Sequence, residues 1–322
     1  MIRYAVRRLG AAALTVLLVV SITFLLVHLA PGEPMLGDAE RLRSDPVRIA
    51  QVRAEFGLDR PLGEQYLRYV GNAVRGNLGQ SFTMHRPVGS LIGERLPRTI
   101  LLSGCALLVA FAFGVGIALA QAARAGGWTD ALLGAVTLVG YSTPIFWLGL
   151  VLLVIFAQLL GWLPVGGMTT AVEYDTMGPM GRMADVLRHL VLPALTLALV
   201  QTAEIARFQR GALVDALGAE FVRAARAKGL GNTAVLVRHA LRSALGPAVI
   251  LAGLSLPMLL AGSVLIETVF GWPGMGRLTY DAISARDYNV ILGAGLVTGI
   301  LVSLGNLAAD LASRALDPRS AA

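Results

Sequence analysis

The sequence predicts an all-α integral membrane protein with six transmembrane helices and a small helical insertion after the first. Three observations carry that prediction. Apolar residues make up 56% of the chain and charged residues 15%, with a mean hydropathy of +0.69, which sets it apart from ordinary globular domains. The apolar residues are gathered into long runs, and about 20 residues suffice to cross a hydrocarbon layer of roughly 30 Å. The cations in turn favour the segments between alternate runs, as cytoplasmic loops do.

The runs cover residues 9–30, 100–123, 131–163, 190–203, 244–266 and 290–309. The first follows Arg3, Arg7 and Arg8. It is longer than the roughly 7–15 apolar residues of a signal peptide and no A-x-A site follows, so it is read as a retained span. The third contains Gly140 and Pro144. Two spans there would expel the cation-rich segment 204–243, so one span is expected, bent or interrupted near Pro144. The fourth run is short, and Glu204 at its end is placed at an interface. Arg3, Arg7 and Arg8 put the N-terminus inside, and alternation then places 31–98 outside. It places 204–243, with seven cations, and the C-terminus inside.

The outer segment 31–98 reads as folded. Asp45 and Pro46 form an N-cap and first turn, Ile49, Val52 and Phe56 recur at helical spacing, and Gly57 supplies a stop. A second helix is predicted over 62–75, with Leu67, Val70 and Val74 on one face and Gly76 ending it. The expected organisation is an N-terminus and first span (1–30), an extracytoplasmic helical subdomain (31–98) and a five-helix core (99–322).

Several chemistries find no support. Cys105 is the lone cysteine, and His28, His85, His189 and His239 lack ligand spacing, so no metal site is expected. The +7 charge is scattered rather than gathered in a tract, which argues against nucleic acid. No G-x-S-x-G or H-E-x-x-H pattern marks a catalytic residue. Glu204, Glu267 and Asp310 fall at span ends and His28 near an outer edge, which disfavours an ion-coupled secondary transporter, the rival class. The glycines of 114–116 and 293–299 read as close helix packing rather than a filter.

The segment from Glu220 to Ser243, EFVRAARAKGLGNTAVLVRHALRS, is the most distinctive. A helix is predicted over 219–228, followed by the Gly229-Leu230-Gly231 break, with Asn232 capping a second helix. Arg223 and Arg226 share one face of the first helix, and Phe221, Ala224, Ala225 and Lys228 another. Small residues there allow a partner's close approach, and Gly229 permits a sharp reversal. By composition alone, a basic helix pair resting on anionic lipid fits equally well.

These residues resemble the membrane subunit of binding-protein-dependent ABC importers, in the oligopeptide, dipeptide and nickel branch. Ala224, Ala225 and Gly229 match the spacing of the family's coupling loop, while Arg223 stands where the general motif has an acidic residue, as in the peptide branch. Further matches follow in order: LLVHLAPGEP, GNLGQSF, TPIFWLGL, GWLPVGG, HLVLPALTLAL, ETVFGWPGMGRL, ARDYNV and LDPR. The resemblance implies a type I importer fold, working by alternating access in the inner membrane of a prokaryote, with both termini cytoplasmic. It implies a second homologous permease, two ATP-binding subunits and an extracytoplasmic substrate-binding protein as partners. Phe221, Arg223, Ala224, Ala225, Arg226, Lys228 and Gly229 would couple to the ATPase.

No Walker A motif is present, because the lone lysine, Lys228, precedes Gly-Leu. ATP and Mg are therefore expected on partner chains, with no cofactor and no catalysis on this one. Dipeptides or oligopeptides are the expected cargo, with nickel or another small solute as the alternative.

Overall fold

A computed structural model describes residues 2–30 and 59–316. The predicted helix around Ile49–Phe56 lies outside them. The regular elements are helical: α1 (Ile2–Leu29), α2 (Leu62–Val74), α3 (Val88–Ala123), α4 (Trp128–Ser142), α5 (Ile145–Leu153), α6 (Pro179–Gly218), α7 (Glu220–Ala227), α8 (Leu241–Val269), α9 (Met275–Ala285) and α10 (Tyr288–Leu316). Among the described residues, Arg8–Leu29, Val88–Ala123, Pro179–Gly218 and Tyr288–Leu311 are each long and apolar enough to cross a membrane. The run 244–266 lies inside α8.

The third run is interrupted where Pro144 predicts. Pro144 lacks an N–H and keeps the preceding Thr143 extended, so α4 ends at Ser142. The helices on either side meet at 101°. Pro193, by contrast, sits inside an unbroken α6.

Contacts divide the chain into two units: Met1–Thr99 with Pro273–Leu304, and Ile100–Trp272 with Gly305–Ala322. In the first unit α10 packs on α1 through glycines. A β-carbon on Gly295 would lie 3.2 Å from Thr23, and one on Gly299 would lie 3.4 Å from Val19. This is the close packing expected of the 293–299 glycines.

The matched motifs GNLGQSF and ARDYNV meet in this unit at Asp287, which is fully buried. One carboxylate oxygen accepts from the Ser81 hydroxyl at 2.5 Å and from the Thr83 N–H and hydroxyl, each at 3.1 Å. The other accepts from the Val290 N–H at 3.3 Å, at the start of α10. Asp287→Ala should cost about 3 kcal/mol, because it orphans several buried donors at once. Thermal unfolding in detergent reads this out, and an unchanged midpoint would contradict the anchoring role.

Helix α2 forms where predicted. Leu67 and Val74, which share a face, are 70% and 84% exposed. The Tyr66 hydroxyl lies 2.7 Å from that of Ser21, and Gln65 Oε1 lies 3.2 Å from His28 Nε2. Aromatic and polar reach toward α1 therefore sets the orientation. On the exposed side, the hydrogen bond from Arg60 holds the Glu64 carboxyl below the usual carboxylate range.

In the second unit the core joins α3, α5, α6 and the end of α8 around Leu102, Leu192, Ile205, Ile266, Phe270 and Trp272. A β-carbon on Gly114 would stand 2.8 Å from Ile205, so α3 and α6 approach closely. GWLPVGG and ETVFGWPG also meet, since Gly167 N–H donates to the Phe270 carbonyl at 2.7 Å. The fourth run, read from sequence as 190–203, is the centre of the 40-residue α6. Part of the expected inner loop is therefore helix. The segment 267–289, between the last two apolar runs, is largely helical too, and contains α9.

Candidate coupling site

The 204–243 segment is built from the end of α6, the short α7 and a helical entry into α8. Helix α6 ends at Gly218, and Ala219 turns extended at φ −72°, ψ 156°. Helix α7 then runs for two turns. Glu220 in its first turn and Arg226 in its last complement the helix dipole.

Its C-terminus closes as a Schellman motif. Gly229 takes φ +83°, its N–H donates to the Arg226 carbonyl at 2.9 Å, and the Leu230 N–H reaches the Ala225 carbonyl at 3.4 Å. The predicted reversal at Gly229 thus rests on a left-handed backbone, a conformation glycine adopts without strain. Beyond it the chain departs from expectation. Gly231, not Asn232, occupies the N-cap position, and no side chain caps the helix there. No separate second helix ends at Ser243 either: Asn232–Ala234 passes through a wider π turn, Val235–Ala240, directly into α8.

One face of α7 is keyed into the chain. Val222 is fully buried and Ala225 nearly so, against Ala118 and Ala122 of α3, Leu213 and Ala216 of α6, and Val235, Ala240 and Ala244. The cluster is mostly alanine, so the helices approach closely. Burying Val222 contributes about 2 kcal/mol to holding α7 in place.

The sequence-predicted residues therefore divide. Phe221 (43% exposed), Arg223, Ala224, Arg226, Lys228 and Gly229 all lie on the open side, with Leu230 beside them. Ala225 does not join them. It faces inward, one turn from Val222, so Ala224 and Ala225 make no common outward surface. Arg238 and Arg242 are exposed beyond the turn.

A polar cluster nearby carries no motif in the sequence. Arg210 of α6 grips Asp130 of α4 through two hydrogen bonds of 2.6 Å each. Asp130 is buried, and its carboxylate also accepts from the Gly126 N–H at 2.9 Å and from Gln121 at 3.2 Å. A fourth span that ends at Ala203 places Arg207 and Arg210 in a loop. The buried series Ile205, Gln209, Leu213 and Ala216, at helical spacing, is the signal that α6 continues past them.

Long apolar helices, one of them broken, with a short amphipathic helix hung between two others, define the architecture of a multi-pass membrane protein. The family described as "Binding-protein-dependent transport system inner membrane component" matches residues 112–321, and its N-terminal companion matches residues 1–103. The chain is 40% identical to the di/tripeptide transport system permease protein DppB of Pseudomonas aeruginosa (strain UCBPP-PA14), over 99% of this chain and 98% of the relative. It is 35% identical to the dipeptide transport system permease protein DppB of Escherichia coli (strain K12), with the same coverage. It is 38% identical to the glutathione transport system permease protein GsiC of Pectobacterium atrosepticum, over 99% and 98%. Among solved structures, the inward-facing MetNI methionine ABC transporter aligns with a TM-score of 0.55 at 20% identity, covering 70% of this chain and 96% of that one. That likeness bears on the fold alone. The chain belongs to the family of binding-protein-dependent transport system inner membrane components.

Proposed function

We propose that this chain is the permease subunit of an ATP-driven importer that carries peptides across the cytoplasmic membrane. The observation that carries the cargo class is full-length similarity, at 35–40% identity, to permeases of dipeptide and tripeptide systems. A second homologous permease, two ATP-binding subunits and an extracytoplasmic binding protein complete the assembly. ATP and Mg reside on the ATP-binding subunits.

Helix α7 is the coupling element. Its inner face is locked to α3, α6 and the start of α8, so a push on the outer face is passed to three long helices. Phe221, Ala224 and the cations around them meet the ATPase. Both termini are cytoplasmic, which places α7 on the ATPase side.

Two measurements test the reading. Cells lacking the subunit should lose uptake of a labelled dipeptide and regain it from a plasmid copy. Undiminished uptake in the deletion, or restoration of nickel uptake alone, would overturn the peptide assignment. In a Cys105→Ser background, Ala224→Cys should cross-link to the ATP-binding subunit. Its failure to do so, in an assembly that still transports, would remove α7 from that contact.

A further inference from the structure

Helix α6 carries a guanidinium that coupling does not use. Arg207 stands one turn before Arg210, on nearly the same face. Arg210 is neutralised by Asp130. No carboxylate among the described residues lies within ion-pair distance of Arg207. Its guanidinium carbon lies 5.8 Å from the centroid of the Tyr141 ring. Arg207 and Tyr141 line a cavity of about 520 Å³ together with Gln121, Asp130, Thr137 and Arg210. That volume lies within the range of small-ligand pockets.

Depth makes Arg207 unusual. Helices α4 and α6 run antiparallel: Asp130, near the start of α4, meets Arg210, and Gly140, near its end, meets Ala203. Tyr141 lies about 20 Å along α4 from Trp128, at 1.5 Å per residue. A helical side chain leans toward its own N-terminus, which directs Arg207 away from the α6 end and toward the apolar middle of the helix. A cation near a helix end ordinarily reaches outward to water. A guanidinium carried inward is expensive unless it faces an aqueous path or takes a counter-charge, and such residues mark substrate routes.

We propose that Arg207, seated over Tyr141, is a carboxylate-binding residue on the translocation path that receives the anionic end of a passing peptide. With Asp130 matched by Arg210, the pocket presents one unmatched positive charge. The guanidinium fork fits a carboxylate with two parallel hydrogen bonds, as Arg210 does with Asp130 one turn away. The Tyr141 ring lends a cation–π contact and consumes none of the N–H donors. The exposure of Arg207 keeps binding weak, which a residue on a path requires.

The inference rests on the peptide-import reading, and the test separates the two. The assembled transporter is placed in liposomes, with ATP on one side and saturating peptide-loaded binding protein on the other, so that capture by the binding protein does not limit the rate. Arg207→Gln should slow peptide accumulation roughly tenfold or more, the effect of losing a charge-assisted contact. Hydrolysis stimulated by the loaded binding protein should stay within about twofold of wild type, and Arg207→Lys should recover part of the transport. Equal transport by Arg207→Gln and wild type would overturn this inference and leave the peptide reading standing. A wild-type assembly that carries no peptide would overturn both. Loss of hydrolysis together with transport in the Gln and Lys variants would make Arg207 a structural residue and overturn the assignment. An effect seen with phosphatidylglycerol present but absent in pure phosphatidylcholine would give the site to a lipid phosphate instead.

Discussion

Gly229→Val should abolish uptake while leaving the protein inserted in the membrane. The reason is conformational rather than steric. A β-carbon at Gly229 meets no atom within 4 Å, yet its φ of +83° is one that a β-branched residue resists. Forcing valine into it costs about 2 kcal/mol, and the two bonds that close α7 are the ones the chain would surrender to escape. Helix α7 would then lose its fixed angle to α8. The ATPase would keep hydrolysing while the spans no longer followed. Gly229→Asn should retain most transport, because asparagine tolerates the left-handed region, and Gly229→Ala should fall between them. Uptake of a labelled dipeptide, measured alongside ATP hydrolysis in the assembled transporter, checks the series. Normal uptake by Gly229→Val would sink the coupling role of the turn.

Asp130→Ala should be the most destabilising single change in the polar cluster, at about 3 kcal/mol. It strands the Arg210 guanidinium and deprives the Gly126 N–H of its acceptor, while Gln121 keeps the Asp130 backbone carbonyl at 3.2 Å. Arg210 is partly exposed, so water recovers some of the loss and the figure sits at the lower end for a broken buried pair. Arg210→Ala should cost a similar amount, and the double variant should cost clearly less than the two together. Cys105, the lone cysteine, offers a thiol-reactive reporter of unfolding in detergent. Additive losses in that cycle would show that the two side chains do not depend on each other.

The sequence reading succeeded where physics is local. Helix α2 begins at Leu62 as predicted, and the chain leaves it through Gly76 at φ +79°. The break at Pro144 follows from a missing N–H and a clash, both properties of one residue. The reading failed where the answer lay in another element. Which face of α2 packs was not assigned from sequence: Tyr66 and Gln65 reach Ser21 and His28, more than 30 positions away. Ala225 looked like half of an outward small face, but its place in a cluster with Ala118 and Leu213 is visible only when α3 and α6 are folded beside it.

The role of the charges also depends on distant elements. Arg207 and Arg210 follow an apolar run and read as the start of an inner loop, since hydropathy averaged over a window ends a span at the first charges. Only the antiparallel pairing of α4 with α6 brings Asp130 to Arg210, 80 positions apart, and carries the cations along a continuing helix. Hydropathy and the cation bias by themselves determined the apolar runs, the helical class and the expected sidedness, because transfer to lipid sums over a stretch of chain without regard to its neighbours. Tertiary structure alone decided which face of α7 is free, that the third run turns through 101°, and that a guanidinium stands unmatched beside Tyr141, because each depends on contacts between elements far apart along the chain.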